Sequence, residues 1–250
     1  MPTVPLATGM RLLKAVVAPV MAAVVLGGMM TSCTPPAFPL TPQALQSRGL
    51  KPGEGYIVAT FHEVRVGDHS TMPPYGVDTH VSIEPPGSGT GLNVPGRVLL
   101  TPTVCTEGEN PFMTGFRNHS DVLAIPVPAG SYEVTGWSMT ASVMTSMVTV
   151  RNRLPMSVPF QVKPGEATYV GRLNGISFYG KNLLGLSVFG RGMVIVTDEF
   201  GQDQARIAKA YPSIKAGTIR HSGVPAGYQN EMKRIAQTPD ESGWRKYLFH

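Results

Sequence analysis

Val127-Pro128-Ala129-Gly130-Ser131-Tyr132-Glu133-Val134 and Val162-Lys163-Pro164-Gly165-Glu166-Ala167-Thr168-Tyr169-Val170-Gly171 are built alike: a β-prone run, a Pro-x-Gly or Pro-Gly turn, and a second β-prone run opening near a tyrosine. Proline presets φ for the turn and glycine accepts a positive φ, so the chain reverses and the second run pairs back on the first. Two such reversals predict antiparallel hairpins.

Working outward, short β-prone runs alternate with Pro/Gly punctuation at Tyr56–Val66, Val77–Glu84, Gly96–Thr103, Val122–Val127, Ser131–Thr140, Val143–Arg151, Met156–Val162, Thr168–Leu173 and Leu186–Asp198. Ile57/Ala59/Phe61, Val158/Phe160/Val162 and Val194/Val196 show the period of two expected when one face of a strand is buried. Pro159 has no amide proton to give a sheet, which predicts an edge strand there. The 28 Gly and 23 Pro among 250 residues fit the same turn-rich reading.

The two hairpins resemble those of small β-sandwich domains of the transthyretin-like and carboxypeptidase-regulatory type, including domains of uncharacterised bacterial lipoproteins. The likeness covers roughly residues 120–175 and implies a mainly β fold, an antiparallel β-sandwich. It supplies a fold and a location but no catalytic residues. After Asp198 the pattern becomes helical: Phe200, Ile207, Ala208 and Tyr211 share a face opposite Arg206 and Lys209, and Pro212 ends the run. Tyr228, Met232 and Ile235 repeat the spacing before Pro239, and Trp244, Tyr247 and Leu248 suggest a last apolar turn. Short C-terminal helices capping a sheet edge or an open end of the sandwich are expected.

At the other end of the chain, Arg11 and Lys14 precede an apolar run from Ala15 to Met30, which stops at Thr31-Ser32. That is short for a bilayer-crossing helix of about 20 residues and suits a signal h-region. Met30-Thr31-Ser32-Cys33 resembles the lipobox of bacterial lipoproteins, with Met30 and Ser32 as variants of the commoner Leu and Gly/Ala. The resemblance implies cleavage after Ser32 and acylation of Cys33, the lipid attachment residue. The alternative is an ordinary signal with Cys33 left free or disulfide-bonded. With only two cysteines, an acylated Cys33 leaves Cys105 alone, and its surroundings, Thr103-Val104-Cys105-Thr106, suit a small buried hydrophobe. Thr34, not Asp, follows Cys33; by the same resemblance the outer membrane is the expected destination.

The expected organisation is thus a signal peptide over 1–32, a flexible Pro-rich spacer over 33–55, a β-sandwich over 56–200 and a C-terminal helical extension over 201–250. Removing 32 of 250 residues leaves 218, enough for one large domain. The formal charge of +5 falls to +3 when Arg11 and Lys14 leave, since no acid goes with them. No Lys/Arg run interleaved with aromatics occurs, so nucleic acid is set aside as a partner.

Candidate chemistry is sparse. His62, Asp68, His69 and His80 lie in two neighbouring predicted strands and their loop and could converge on a metal, but their spacing matches no ligand motif. Met139, Met144 and Met147 evoke copper-handling methionines, yet their neighbours are Thr, Ser and Val, as in a strand contributing Met to a core. His119-Ser120-Asp121 has the residue types of a hydrolytic triad, but strand neighbours point to opposite faces, and no Gly-x-Ser-x-Gly elbow accompanies it. Nucleotide-binding glycine patterns are missing from the sequence, and no cofactor is implied. The glycine-rich stretch from Gly171 to Gly192, bearing Phe178, Tyr179 and Phe189, reads either as a flexible binding loop or as a long hairpin with bulges.

The expectation from sequence is therefore a non-enzymatic lipoprotein of the cell envelope, membrane-bound through its N-terminal lipid, with a structural or binding role toward an envelope protein or glycan. The alternative is an envelope hydrolase or carbohydrate-active enzyme whose site is assembled from distant residues.

Overall fold

The central strands of the fold bury both faces. The computed structural model describes residues 37–67, 77–88, 95–104, 118–119, 121–143, 146–152, 156–181 and 184–228, all within the unit Cys33–His250. Its elements in chain order are α1 (Pro42–Arg48), β1 (Glu54–Gly67), β2 (Val77–Glu84), β3 (Val98–Leu100), β4 (Thr103–Val104), β5 (Asn118–His119), β6 (Val122–Pro128), β7 (Gly130–Val143), β8 (Ser146–Arg151), β9 (Val158–Val162), β10 (Ala167–Lys181), β11 (Ser187–Thr197), α2 (Phe200–Ala210) and β12 (Ile219–His221). A 3-10 turn, Ala216–Thr218, leads into β12.

The strands form two five-stranded sheets and a small β4–β5 pair. Sheet I has the order β11-β10-β1-β6, with β12 alongside the start of β10; sheet II has the order β3-β2-β7-β8, with β9 on the same edge of β7 as β8. The fold is mainly β with short helices, in line with the sequence. Two pairings are parallel, β1 with β10 and β10 with β12. These strands are remote in sequence, so no hairpin obliges them to run antiparallel.

The facing sides of the sheets enclose one core, to which β1 gives Ile57, Ala59 and Phe61, β6 gives Leu123, Ile125 and Val127, and β7 gives Val134 and Met139. A second core lies on the outer side of sheet I, where Tyr56, Val58, Val122, Ala124 and Tyr169 meet Leu45 of α1, Ile207 of α2 and Tyr211. Six successive residues, Val122–Val127, are therefore buried, the mark of a strand covered on both faces. The helices form a third layer over a sheet face and do not cap an edge or an end, and β12 completes sheet I. The described part of the C-terminal region, through residue 228, is integral to the body, where the sequence suggests an extension.

The reading of 33–55 as a spacer is corrected over its described part. Ala37 bridges to Val98, and Leu40 donates its amide to the Ala124 carbonyl at 3.2 Å. Thr41 caps α1 by accepting from the Ala44 amide at 3.1 Å, with Pro42 in the first turn. Leu40, Leu45 and Leu50 all join the outer core. Proline here starts a helix, where its missing amide proton costs nothing.

The two tyrosine segments do not form the antiparallel hairpins expected: β6 pairs with β1 in sheet I while β7 belongs to sheet II, and β9 pairs with β7 in sheet II while β10 belongs to sheet I, so each Pro/Gly turn carries the chain from one sheet to the other. Tyr132 donates its hydroxyl to the Pro128 carbonyl at 2.8 Å, tying β7 back across its own turn. Tyr132→Phe is expected to cost about 1 kcal/mol, the net value of a hydrogen bond whose acceptor can turn to water. Urea unfolding monitored by circular dichroism measures it. Pro159 is exposed on β9, which among the described residues pairs only with β7, so the edge-strand expectation holds. The turn between β9 and β10 crosses from sheet II to sheet I. There the Tyr56 amide donates to the Glu166 carbonyl and the Gly165 amide to the Glu54 carbonyl, both at 2.8 Å. Gly55 permits this approach, because a Cβ would collide with the Lys163 carbonyl and lie 2.7 Å from Val162 Cγ1.

Candidate functional site

The densest polar cluster of the described residues sits under α2, and a bulge in β10 creates it. Side chains three apart on a regular strand point to opposite faces. Register between β1 and β10 slips between Val58/Thr60 and Tyr169/Arg172, at Val170-Gly171, where Gly171 has φ +125°. Tyr169 and Arg172 therefore emerge together on the outer face, beside Thr60 of β1. Their common partner is Asp203, which lies on the buried stripe of α2 with Ile207 and is fully shielded from solvent.

Five donors converge on this carboxylate. Oδ2 accepts from the Thr60 hydroxyl, from Tyr169 OH at 2.6 Å and from Arg172 Nε at 3.2 Å. Oδ1 accepts from Arg172 Nη2 and from Arg206 Nη1 at 3.1 Å, and Arg206 also holds Asp121. Burial pushes the Asp203 pKa up, but hydrogen bonds from Arg172, Thr60 and Tyr169 outweigh it and leave the carboxyl below its ordinary range. Burial and the bond to Asp203 hold the Tyr169 phenol well above its ordinary value. A carboxylate offers about four lone-pair directions, all taken here. Such a group cannot accept a proton from a substrate or ligate an ion without dismantling the cluster. Its work is mechanical, fastening α2 to sheet I.

A smaller group adjoins it. His221 of β12 stacks on Phe200 with ring centres 4.8 Å apart and planes 8° apart, while Tyr169 meets Phe200 at 5.5 Å. His221 Nε2 lies 2.7 Å from both carboxylate oxygens of Asp198, joining β12 to the chain just after β11. Ser222 donates to the Tyr169 carbonyl at 2.7 Å, so its hydroxyl is aimed at the backbone and not at the neighbouring imidazole.

The residues singled out in the sequence are dispersed. His62 is exposed on β1 in sheet I and His80 is on β2 in sheet II, so the two strands are not sheet neighbours; positions 68 and 69 lie outside the described residues. Among the described residues no group of three His, Cys, Asp or Glu is gathered as for a metal. Met139 is in the core, whereas Met147 on β8 is 73 % exposed; Met144 lies outside the described residues. His119 pairs with Thr103 in the β4–β5 ribbon, and Asp121 binds Arg206 in an ion pair; position 120 is outside the described residues. Cys33 and Cys105 are outside them as well.

The glycine-rich stretch is the long hairpin β10–β11 and not a flexible aromatic loop. Phe178, Tyr179 and Phe189 are buried, with Tyr179 edge-on to Phe189 at 6.0 Å. Its glycines make room for the other layer: a Cβ on Gly192 would strike Met139 Sδ, and one on Gly175 would lie 2.8 Å from the Phe61 ring. The exposed large apolar side chains of the described residues, Met147, Leu184 and Leu186, are near the β7–β8 turn and the β10–β11 tip. Both lie at the end of the sandwich where β1 finishes and β2 begins.

Thr60, Arg172, Asp203 and Arg206 carried no sequence motif. The one signal was Asp203 itself, three residues after Phe200 and four before Ile207, an acid on an apolar stripe. No family model and no curated protein matches the chain. No helix among the described residues is long and apolar enough to cross a membrane.

Proposed function

We propose that the protein is a lipoprotein of the bacterial cell envelope, anchored through acyl chains on Cys33, expected at the outer membrane, and acting by a structural or binding role and not by catalysis. The observation that carries the reading is the leader: two basic residues, an apolar run too short to span, and Met30-Thr31-Ser32-Cys33. Two or three acyl chains, at about 0.8 kcal/mol for each buried CH₂, would make the attachment effectively permanent. The likeness of its two Pro/Gly–Tyr segments to those of transthyretin-like domains belongs to the same proposal. Partners of such a module would be envelope proteins or glycans.

The chemistry of the polar cluster supports the non-catalytic part. An enzyme needs a base, nucleophile or acid with free capacity facing substrate. Asp203 is saturated by the body's own donors, and His62 and His80 stand on separate sheets.

The anchor is tested on protein purified from its native envelope. Intact-mass analysis is expected to show a chain starting at Cys33 with the added mass of fatty acyl groups, and Cys33→Ser is expected to abolish that addition. A polypeptide lacking acyl mass, or one that still begins at Met1, would overturn the anchor.

A further inference from the structure

One end of the sandwich holds Ala37, the first described residue, and the same end displays exposed lysines. β2 runs toward this end and β3 leaves it. Ala37 bridges in parallel to Val98 at the start of β3 and so lies at that end. β1 and β10 begin here as parallel neighbours, and β12 begins beside Ala167, which brings the segments before all three strands to one end. These segments expose Lys51 before β1, Lys163 in the β9–β10 turn and Lys215 ahead of β12. The acids nearby are mostly engaged: Glu54 holds Arg48, Glu84 holds Arg97 and Glu166 holds Arg220, while Glu133 is half-buried in sheet II.

We propose that this end, with Lys51, Lys163 and Lys215, is a docking surface for anionic phospholipid headgroups, seating the body directly on the bilayer that holds Cys33. The inference rests on the acyl anchor proposed above. Ala37 is already built into the fold, so the tether is not a spacer of some twenty residues. Four residue steps from Cys33 to Ala37 reach at most about 14 Å. A surface held at that range meets the headgroups at high effective concentration. Each lysine near an anionic bilayer strengthens contact about fivefold, an effect that fades beyond a Debye length of about 8 Å at physiological salt. The apolar Met147, Leu184 and Leu186 are at the opposite end and would face away from this membrane.

The test uses the native acylated protein reconstituted on two kinds of vesicle, phosphatidylcholine alone and phosphatidylcholine with 30 mol% phosphatidylglycerol (about 30 %, a typical anionic content). Lysines are acetylated briefly and read by mass spectrometry. Lys51, Lys163 and Lys215 are expected to label several-fold more slowly on the anionic vesicles, with Lys181 and Lys209 unchanged as internal references. The protection is expected to vanish at high salt and in the Lys51→Glu/Lys163→Glu/Lys215→Glu variant, in which Lys181 and Lys209 label as before. Equal labelling on both vesicles, or protection centred on Lys181, would overturn the docking surface. Failure of the anchor shows separately, as protein without acyl mass that does not stay on phosphatidylcholine. Salt-sensitive protection of the three lysines on the anionic vesicles would then still support the cationic end.

Discussion

Asp203→Asn is expected to lower the unfolding free energy by about 3 kcal/mol, the lower end of the cost of breaking a buried ion pair. The lower end applies because Arg172, the principal partner, keeps 18 % of its side chain in solvent and can rehydrate. Asparagine preserves the shape but loses the charge that offsets two guanidinium groups. Its amide nitrogen is also a donor facing donors, whichever way it turns. The same substitution is expected to alter the pH profile. The Asp203 pKa lies below the unfolded value of about 3.9, so its stabilisation is complete above about pH 4 and is lost as pH falls through the folded value. Wild type is expected to weaken steeply below about pH 4, and the variant, already without this contribution, less steeply. Tyr169 and Tyr211 have folded pKa values above the unfolded value of about 10, so both proteins are expected to weaken above about pH 10, the variant less steeply because its Tyr169 loses the part of the rise that the Asp203 carboxylate supplies. Urea midpoints across this range measure both limbs. Identical acid limbs in the two proteins would show that Asp203 is not what acid releases.

How far the sequence leads depends on the kind of interaction. Turn chemistry and alternation are local, and they predicted the β2 span Val77–Glu84 as observed and placed Pro159 on an edge. Burial on a second face is not local. Ile57, Ala59 and Phe61 announce one apolar face of β1, but Tyr56, Val58 and Thr60 are equally buried because α1 and α2 cover the other. Nothing within β1 says that a helix more than a hundred residues away will arrive there. Proline and glycine misled for a related reason. Pro42 looks like spacer composition until Leu40, Leu45 and Leu50 are seen against sheet I, and Gly175 and Gly192 look like loop residues until Phe61 and Met139 are seen filling their place. The paired tyrosines make the same point. Tyr132 satisfies its hydroxyl across its own turn, whereas Tyr169, in a similar local sequence, reaches a carboxylate 34 residues on.

The Asp203 cluster exists only because β10 carries one residue too many for its partner strand, and that dependence makes Gly171→Ala the second large effect. A loss of about 4 kcal/mol is expected, combining backbone strain with overpacking. At φ +125° a side chain is disfavoured whatever its surroundings, and here the surroundings are closed. The added Cβ would lie 2.6 Å from Val196 Cγ1, 3.0 Å from the Thr197 carbonyl oxygen and 3.2 Å from Val224 Cγ2. Gly165→Ala separates the two causes, since Gly165 has φ +74° in an exposed turn with nothing within 4 Å of its Cβ, and about 1 kcal/mol is expected there. Relief of the Gly171→Ala clash requires β11 to move away or the bulge to regularise, and regularising would turn Arg172 toward the core and away from Asp203. Amide exchange in α2 should therefore accelerate in Gly171→Ala by more than the global loss of stability accounts for, while Gly165→Ala leaves α2 tracking the whole. Uniform acceleration across both sheets and α2 would mean that the bulge does not govern how the helix is held.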